Sequence, residues 1–378
     1  MLTSKLPGVT DSIFTVMSKL AHQHNAINLS QGFPSFEVDP ILKELLQKAI
    51  QDDKNQYAPM QGLFSLRAAI SGMTQQVHDV FYNPENEICL TAGATQAIFT
   101  AIQATVHAGD EVILFTPAYD CYEPAITLAG ATAIPIALSL PHFKVDWQQV
   151  ADAITPKTRM VMINSPHNPS GVMWSHDDML ELERLAVTHD ILVISDEVYE
   201  YIAFDNRTHY SACRYEGLKE RSFVIGSFGK TFHITGWKMG YCQAPAKLMT
   251  EFYKVHQYLV FCVNHPVQDA LASYLEKPAR YLELGTYYQR KRDLFLNLIK
   301  NSRFTFTPAN GSYFQLLDYS AISSEQDVDF ARRLTIEHKI ASIPISVFME
   351  NKDTRLLRFC FAKEDEELLK AANILNGL

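Results

Sequence analysis

Between residues 111 and 226 the chain alternates short Val/Ile-rich apolar runs with segments of helical spacing, and this alternation restricts the fold more than any other feature. The runs are Glu111–Thr116, Arg159–Asn164, Ile191–Ser195 and Ser222–Gly226, most of them followed by Pro, Asn, Asp or Gly. Asp178–His189 carries helical spacing between two of them. Near-continuous apolar strands alternating with helices predict an α/β fold, with a mostly parallel sheet covered by helices on both faces. The polar residues that end the runs then lie at strand C-termini, where open α/β sheets bind ligands.

Further along, the pattern changes. Pro278–Lys300 reads as one long helix. Arg303–Thr307 and Ser312–Asp318 flank Asn310-Gly311, a hairpin signal. A helix over Glu325–His338, strands near Ile340–Ile345 and Leu356–Phe361, and a final helix follow. The expected division is a large domain over 41–277 and a smaller α+β domain formed by 1–40 plus 278–378. With 378 residues, 47% of them hydrophobic, the chain can bury a core of that extent.

Composition narrows the function classes. The 33 basic against 42 acidic residues give a net charge of −9, which opposes a nucleic-acid partner bound through its phosphates. The six cysteines form no CxxC pair, so a reduced, cytoplasmic setting is expected. No apolar stretch is long enough for a membrane span, and the N-terminus lacks a signal-peptide core. There is no HExxH, and His22 and His24 read as a surface pair, so no metal site is expected.

The chemistry centres on Lys230, in the run GSFGK from Gly226, followed by Thr231. A phosphate loop of the ATPase type needs a glycine at 224, which is Val224, and places its acidic strand after the lysine. Here ILVISDE, with Asp196 and Glu197, comes before it. Pyridoxal phosphate (PLP) accounts for more residues. It requires a lysine amine, an acid facing the ring nitrogen, donors to the ring oxygen and a phosphate cup. Lys230 can supply the amine, with its basicity lowered by burial and by a nearby cation such as Lys238. Asp196 ends a buried strand, where an unpaired carboxylate is costly and a protonated ring nitrogen would compensate it. Tyr199 lies three residues on and can reach the ring oxygen. Asn168, in NSPHNPSG, can donate to the same oxygen, although a plain turn accounts for that loop equally well. Ala94 and Thr95 open a helical segment whose free N–H groups favour an anion, with an ordinary cap as the alternative. Ser227 offers a hydroxyl to the same phosphate. Tyr119 can stack on the ring or simply fill core. Arg358, within LLRFCFA, either binds an anion bidentately or faces solvent on an edge strand.

With these residues in hand, the chain resembles the fold-type I, class I/II aminotransferases along essentially its whole length, nearest to the methionine aminotransferase and kynurenine/glutamine transaminase branch. The segments that carry the resemblance are INLSQGFPSF, NQYAPMQG, TAGATQAI, PAYDCYEP, NSPHNPSG, ISDEVYE, SFGKTFHITGWKMGYC, VHQYLVFCVN and LRFCFAK. It implies that Lys230 holds the cofactor and moves the substrate Cα proton, and that Asp196 pairs with the ring nitrogen. Tyr199 and Asn168 would bind the ring oxygen. Ala94, Thr95, Ser227 and Lys238 would hold the phosphate, and Tyr119 would stack on the ring. Arg358, Asn168 and the Gly32 backbone would hold the substrate carboxylate. Tyr57 would reach the phosphate in the other subunit of a homodimer with shared active sites. Lys238 stands where many relatives have Arg, which replaces a bidentate fork by a point charge.

The implied activity is ping-pong transfer of an amino group from an amino acid to a 2-oxo acid. Ile13, Phe14 and Phe33 suit a long apolar side chain, so methionine, aromatic amino acids or glutamine are the expected donors. A cysteine-conjugate or cystathionine β-lyase on the same fold, and a non-catalytic regulator, are the alternatives.

Overall fold

The four apolar runs form strands, with nearly every side chain from 222 to 227 and from 158 to 164 buried. The computed structural model describes residues 3–349 and 353–378. In chain order its strands are β1 (Ile27–Asn28), β2 (Ile88–Thr91), β3 (Glu111–Thr116), β4 (Thr132–Ala137), β5 (Thr158–Asn164), β6 (Leu192–Asp196), β7 (Ser222–Ser227), β8 (Gly240–Gln243), β9 (Phe314–Asp318), β10 (Ile340–Ala341), β11 (Ile343–Pro344) and β12 (Leu356–Cys360).

Seven strands make the large sheet in the order β2-β8-β7-β6-β5-β3-β4. Only β8 runs antiparallel to its neighbours, β2 and β7. Parallel pairing puts the C-terminal ends of β3, β5, β6 and β7 on one edge, with Asn164 beside Asp196 and Asp196 beside Ile225. Two apolar clusters, one built round Ile98, Ile102, Ile194 and Phe252 and the other round Val161, Val193, Leu182 and Tyr241, bury the sheet.

The smaller part is built on a three-stranded antiparallel sheet in the order β11-β12-β9. The N-terminal segment joins it, because β1 pairs in parallel with β10. The run expected near Ile340–Ile345 is thus two short strands in different sheets. Two further expectations need correction. The helix expected over Pro278–Lys300 is interrupted at Glu283, giving Ala279–Leu282 and Leu284–Ile299. Asn310-Gly311 is not a hairpin turn. Both of its N–H groups donate to the Gly171 carbonyl, and the antiparallel pairing survives only as a bridge between Thr305 and Asp318. Gly226 belongs to a strand, as its apolar run implied. It lies inside β7, where an added Cβ would sit 2.1 Å from the Tyr241 ring on β8.

All six cysteines are free. Among the described residues no helix is long and apolar enough to cross a membrane.

Candidate active site

A cavity of about 310 Å³ opens where the strands of the large sheet end. Five of these strands deliver residues to it from their last positions or the turns that follow. Ala94 and Thr95 come after β2, Tyr119 after β3, Asn164 and Asn168 from and after β5, and Asp196 and Tyr199 from and after β6. Ser227, Lys230 and Lys238 follow in the same way from β7. Phe14, Gly32, Phe33, Phe314 and Arg358 close it from the N-terminal segment and the smaller sheet. The cavity therefore gathers every residue given a cofactor or substrate role above except Tyr57 and Ile13. Ile13 packs into the apolar core instead. Tyr57 lies on the surface at 83% exposure, with its ring edge-on to Phe261.

Lys230 lies in a single turn of helix, Phe228–Thr231, directly after β7. Its Nζ donates to the Gly32 carbonyl at 2.9 Å. No carboxylate pairs with it among the described residues. Enclosure by protein lowers its pKa to about 8, and Arg358 and Lys238 add to that effect against the pull of Asp196. The cation foreseen for this purpose was Lys238 alone; Arg358 has the larger influence.

Asp196 is 4% exposed at the end of β6. The Tyr122 hydroxyl donates to its carboxylate at 2.6 Å, and no cation pairs with it among the described residues. Burial raises its pKa from 3.8 to about 6, against the opposing hydrogen bond from Tyr122. Between those values the folded chain keeps a proton that the unfolded chain has lost, so stability falls as pH rises through that window. Asp196→Asn cannot ionise. In the cofactor-free protein it gains on the wild type, from about pH 4 to about pH 7, by roughly 2 kcal/mol. Urea unfolding of both proteins at the two pH values measures this; parallel pH dependence contradicts it.

The next residue, Glu197, points away from the cavity into a buried network. Its oxygens take His209 at 2.8 Å, the Ser195 hydroxyl at 2.7 Å and the Ala212 N–H at 3.0 Å. Burial alone would raise its pKa, but the His209 and His78 charges and these hydrogen bonds hold it at about 2. His78 meets Glu200 at 3.0 Å, and the Tyr241 hydroxyl meets the same carboxylate at 2.9 Å. His78, Glu197 and Glu200 bring ligand-type atoms within 4.8 Å of one another, a cluster that the sequence did not reveal.

The anion end of the cavity is built on backbone. The helix Gly93–Thr105 starts without a side-chain cap. Its uncapped N–H groups and dipole favour negative charge. Gly240 lets that start approach, since a Cβ there would lie 2.8 Å from the Ala94 nitrogen. Lys238 adopts the left-handed region at φ +53, which places its Nζ about 3.2 Å from where a Cβ on Gly93 would be. Cation and helix start therefore face the same space.

Arg358 sits on β12, the middle strand of its sheet, and is 1% exposed. The solvent-facing edge position is excluded. One guanidinium N–H donates to Asn168 Oδ1 at 2.8 Å and another to the Ser30 carbonyl at 2.7 Å. Nε has no partner, and no carboxylate pairs with the group among the described residues. The plane lies 3.9 Å from the Phe314 ring centroid. A buried guanidinium with neutral acceptors and a free donor is prepared for an anion.

Tyr122, Asn164, Tyr313 and Phe314 were not foreseen. Asn164 Oδ1 accepts from the Asn168 N–H at 2.7 Å and its amide donates to the Asp196 carbonyl at 2.8 Å, so it fixes two predicted residues at once. Its place at the end of an apolar run was the available signal. Tyr313 lies outside the strand-end pattern, and nothing local marks it.

This fold, with a lysine, an acid and an arginine converging at the sheet edge, defines an enzyme site for a charged small molecule. The family model for aminotransferases of class I and II matches residues 24–375, and the chain belongs to that family. It is 48% identical to the methionine aminotransferase of Escherichia coli, over 99% of this chain and 98% of that one. It is 34% identical to the kynurenine–oxoglutarate transaminase of Dictyostelium discoideum, over 95% and 92% of the two. A solved E. coli structure described as having a methionine aminotransferase function superposes with a TM-score of 0.98 at 48% identity, covering 100% of both chains. The chain is an aminotransferase. Its class is PLP-dependent, acts on amino and 2-oxo acids, and is generally dimeric.

Proposed function

We propose that this chain binds PLP through Lys230 and transfers the amino group of methionine, an aromatic amino acid or glutamine to a 2-oxo acid. Three groups in one cavity that lack their natural counter-groups support the reading. Asp196 is a buried acid without a cation, Arg358 a buried guanidinium without a carboxylate, and Lys230 an amine with only a neutral acceptor. A cofactor with an aldehyde, a ring nitrogen and a phosphate, together with an amino acid, completes all three.

When bound, the cofactor supplies an electron sink for the substrate Cα. The chain's own residues do the rest. Asp196 would face the ring nitrogen and favour its protonated form, with the Tyr122 hydroxyl holding that carboxylate in place. Tyr199 and Asn168 would hold the ring oxygen, and Tyr119 would pack beside the ring. Ala94, Thr95, Ser227 and Lys238 hold the phosphate. Arg358, with Asn168 and the Gly32 backbone, holds the substrate carboxylate and so directs Cα to Lys230. Lys230, as a free amine, would take the Cα proton and hold it for return to the cofactor-side carbon, two bonds from Cα. Residues 41–277 would carry the cofactor, with 1–40 and 278–378 closing over it. Tyr57 would contribute from the second subunit of a homodimer; its exposed ring, with Phe261 and Tyr258, suits a partner contact.

The donor preference rests on the walls. Phe14, Phe33, Tyr119 and Phe314 line the cavity, and its only Lys or Arg residues among those described are Lys230, Lys238 and Arg358. With these assigned, a second substrate carboxylate has no cation to meet. Turnover of methionine or phenylalanine is therefore expected to exceed that of aspartate by roughly 10²-fold in kcat/KM, as a buried unpaired charge costs several kcal/mol. A screen of these donors with glutamine, against several 2-oxo acids, measures it. Equal or faster turnover of aspartate defeats the preference.

A further inference from the structure

The carbonyl oxygen of Gly32 accepts from two side chains, Lys230 Nζ at 2.9 Å and the Tyr313 hydroxyl at 2.7 Å. Three distant parts of the chain meet at that atom. Gly32 belongs to the N-terminal segment, Lys230 follows β7, and Tyr313 immediately precedes β9. Tyr313 is 0% exposed, with its ring packed edge-on to Tyr199 at 5.1 Å and Phe314 at 5.0 Å. Gly32 is hemmed in as well, since a Cβ there would lie 2.9 Å from the Phe314 ring. The acceptor is held, and two donors share it.

We propose that Tyr313 is a positioning residue that governs the proton affinity of Lys230 by sharing its hydrogen-bond acceptor. A carbonyl oxygen has room for two donors. An ammonium gains more from such an acceptor than a neutral amine does. A hydroxyl that points its own positive hydrogen at the same oxygen reduces that gain, and so favours the amine, the form that can take a proton. Other groups also face Lys230. Asp196 from β6 favours the ammonium, Arg358 from β12 and Lys238 before β8 oppose it, and the Cys360 thiol lies beside it. The Tyr199 and Tyr313 rings lie 6.0 and 5.9 Å from Nζ. Apart from Lys230 itself, Tyr313 is the side chain that acts on the acceptor. Its hydroxyl can be removed while its ring remains.

The inference rests on Lys230 being the reactive lysine, which adduct mapping with borohydride decides independently. The test uses cofactor-free protein, labelled with acetic anhydride over a range of pH, with acetylation of Lys230 followed by peptide mass spectrometry. Tyr313→Phe is expected to raise the midpoint of Lys230 labelling by about half a pH unit or more, the scale of one hydrogen bond. Tyr288→Phe is the control. Its hydroxyl is buried in the same aromatic cluster, 5.6 Å ring to ring from Tyr313, but has no partner, so the midpoint stays. An unmoved midpoint in folded Tyr313→Phe, or equal shifts in both variants, overturns the proposal. If Tyr313→Phe does not fold, 3-fluorotyrosine in place of Tyr313 keeps the shape and strengthens the donor. The midpoint must then fall, and a constant or rising midpoint overturns the proposal.

Discussion

Replacing Lys230 by alanine leaves a folded protein whose kcat/KM for amino transfer is lower by roughly 10⁴-fold, the upper range for loss of a positioned acid–base group. The fold survives because Lys230 has no ion-pair partner among the described residues to leave stranded. Its one acceptor, the Gly32 carbonyl, is still satisfied by Tyr313. Removing a buried amine without a carboxylate also removes its desolvation cost. Asp196, Tyr199 and the helix start at Gly93 do not depend on it for position. They hold to Tyr122, to the Tyr313 ring and to backbone. Loss of activity at an unchanged melting temperature is thus the expected pair of results. Activity within tenfold of the wild type would place the proton transfer elsewhere.

Arg358→Ala is expected to raise KM for amino acids by roughly 10²–10³-fold, with a smaller change in kcat. Its fork supplies the charge for the substrate carboxylate, and truncating one member of a buried charge pair strands the other. Its direct partners are Asn168 and the Ser30 carbonyl, not the residues around Gly93 and Lys238, so the cofactor should stay bound. Arg358→Lys should recover little, since an ammonium cannot reproduce the planar fork. Steady-state kinetics together with the cofactor absorbance separate the outcomes. A variant that loses cofactor while KM is unchanged would move Arg358 from the substrate to the cofactor.

The large sheet could be read in the sequence because its signal is local. β5, β6 and β7 are runs of apolar residues ended by one polar residue, and buried parallel strands need little else. Lys230, Asp196, Asn168 and Ser227 were legible for the same reason, since each lies at or just beyond the end of such a run. Where position depends on distant contacts, the reading failed. Asn310-Gly311 has the composition of a hairpin turn, yet the Gly171 carbonyl captures both of its N–H groups. Near Glu283, where the expected long helix is broken, Gly285 lies so close to the Ala203 carbonyl that a Cβ would be 2.7 Å from it. Tyr122 and Tyr313 act on Asp196 and Gly32 across sequence separations of 74 and 281 residues, and no periodicity records such a partnership.

Every assigned role depends on which lysine holds the cofactor. Purified protein supplied with PLP should show an absorbance band at the edge of the visible range, and borohydride should fix it as a stable mass adduct. Peptide mapping is predicted to find that adduct on the fragment bearing Lys230, and to find none in Lys230→Ala. A stoichiometric adduct on another lysine, or one that persists in Lys230→Ala, would contradict the site.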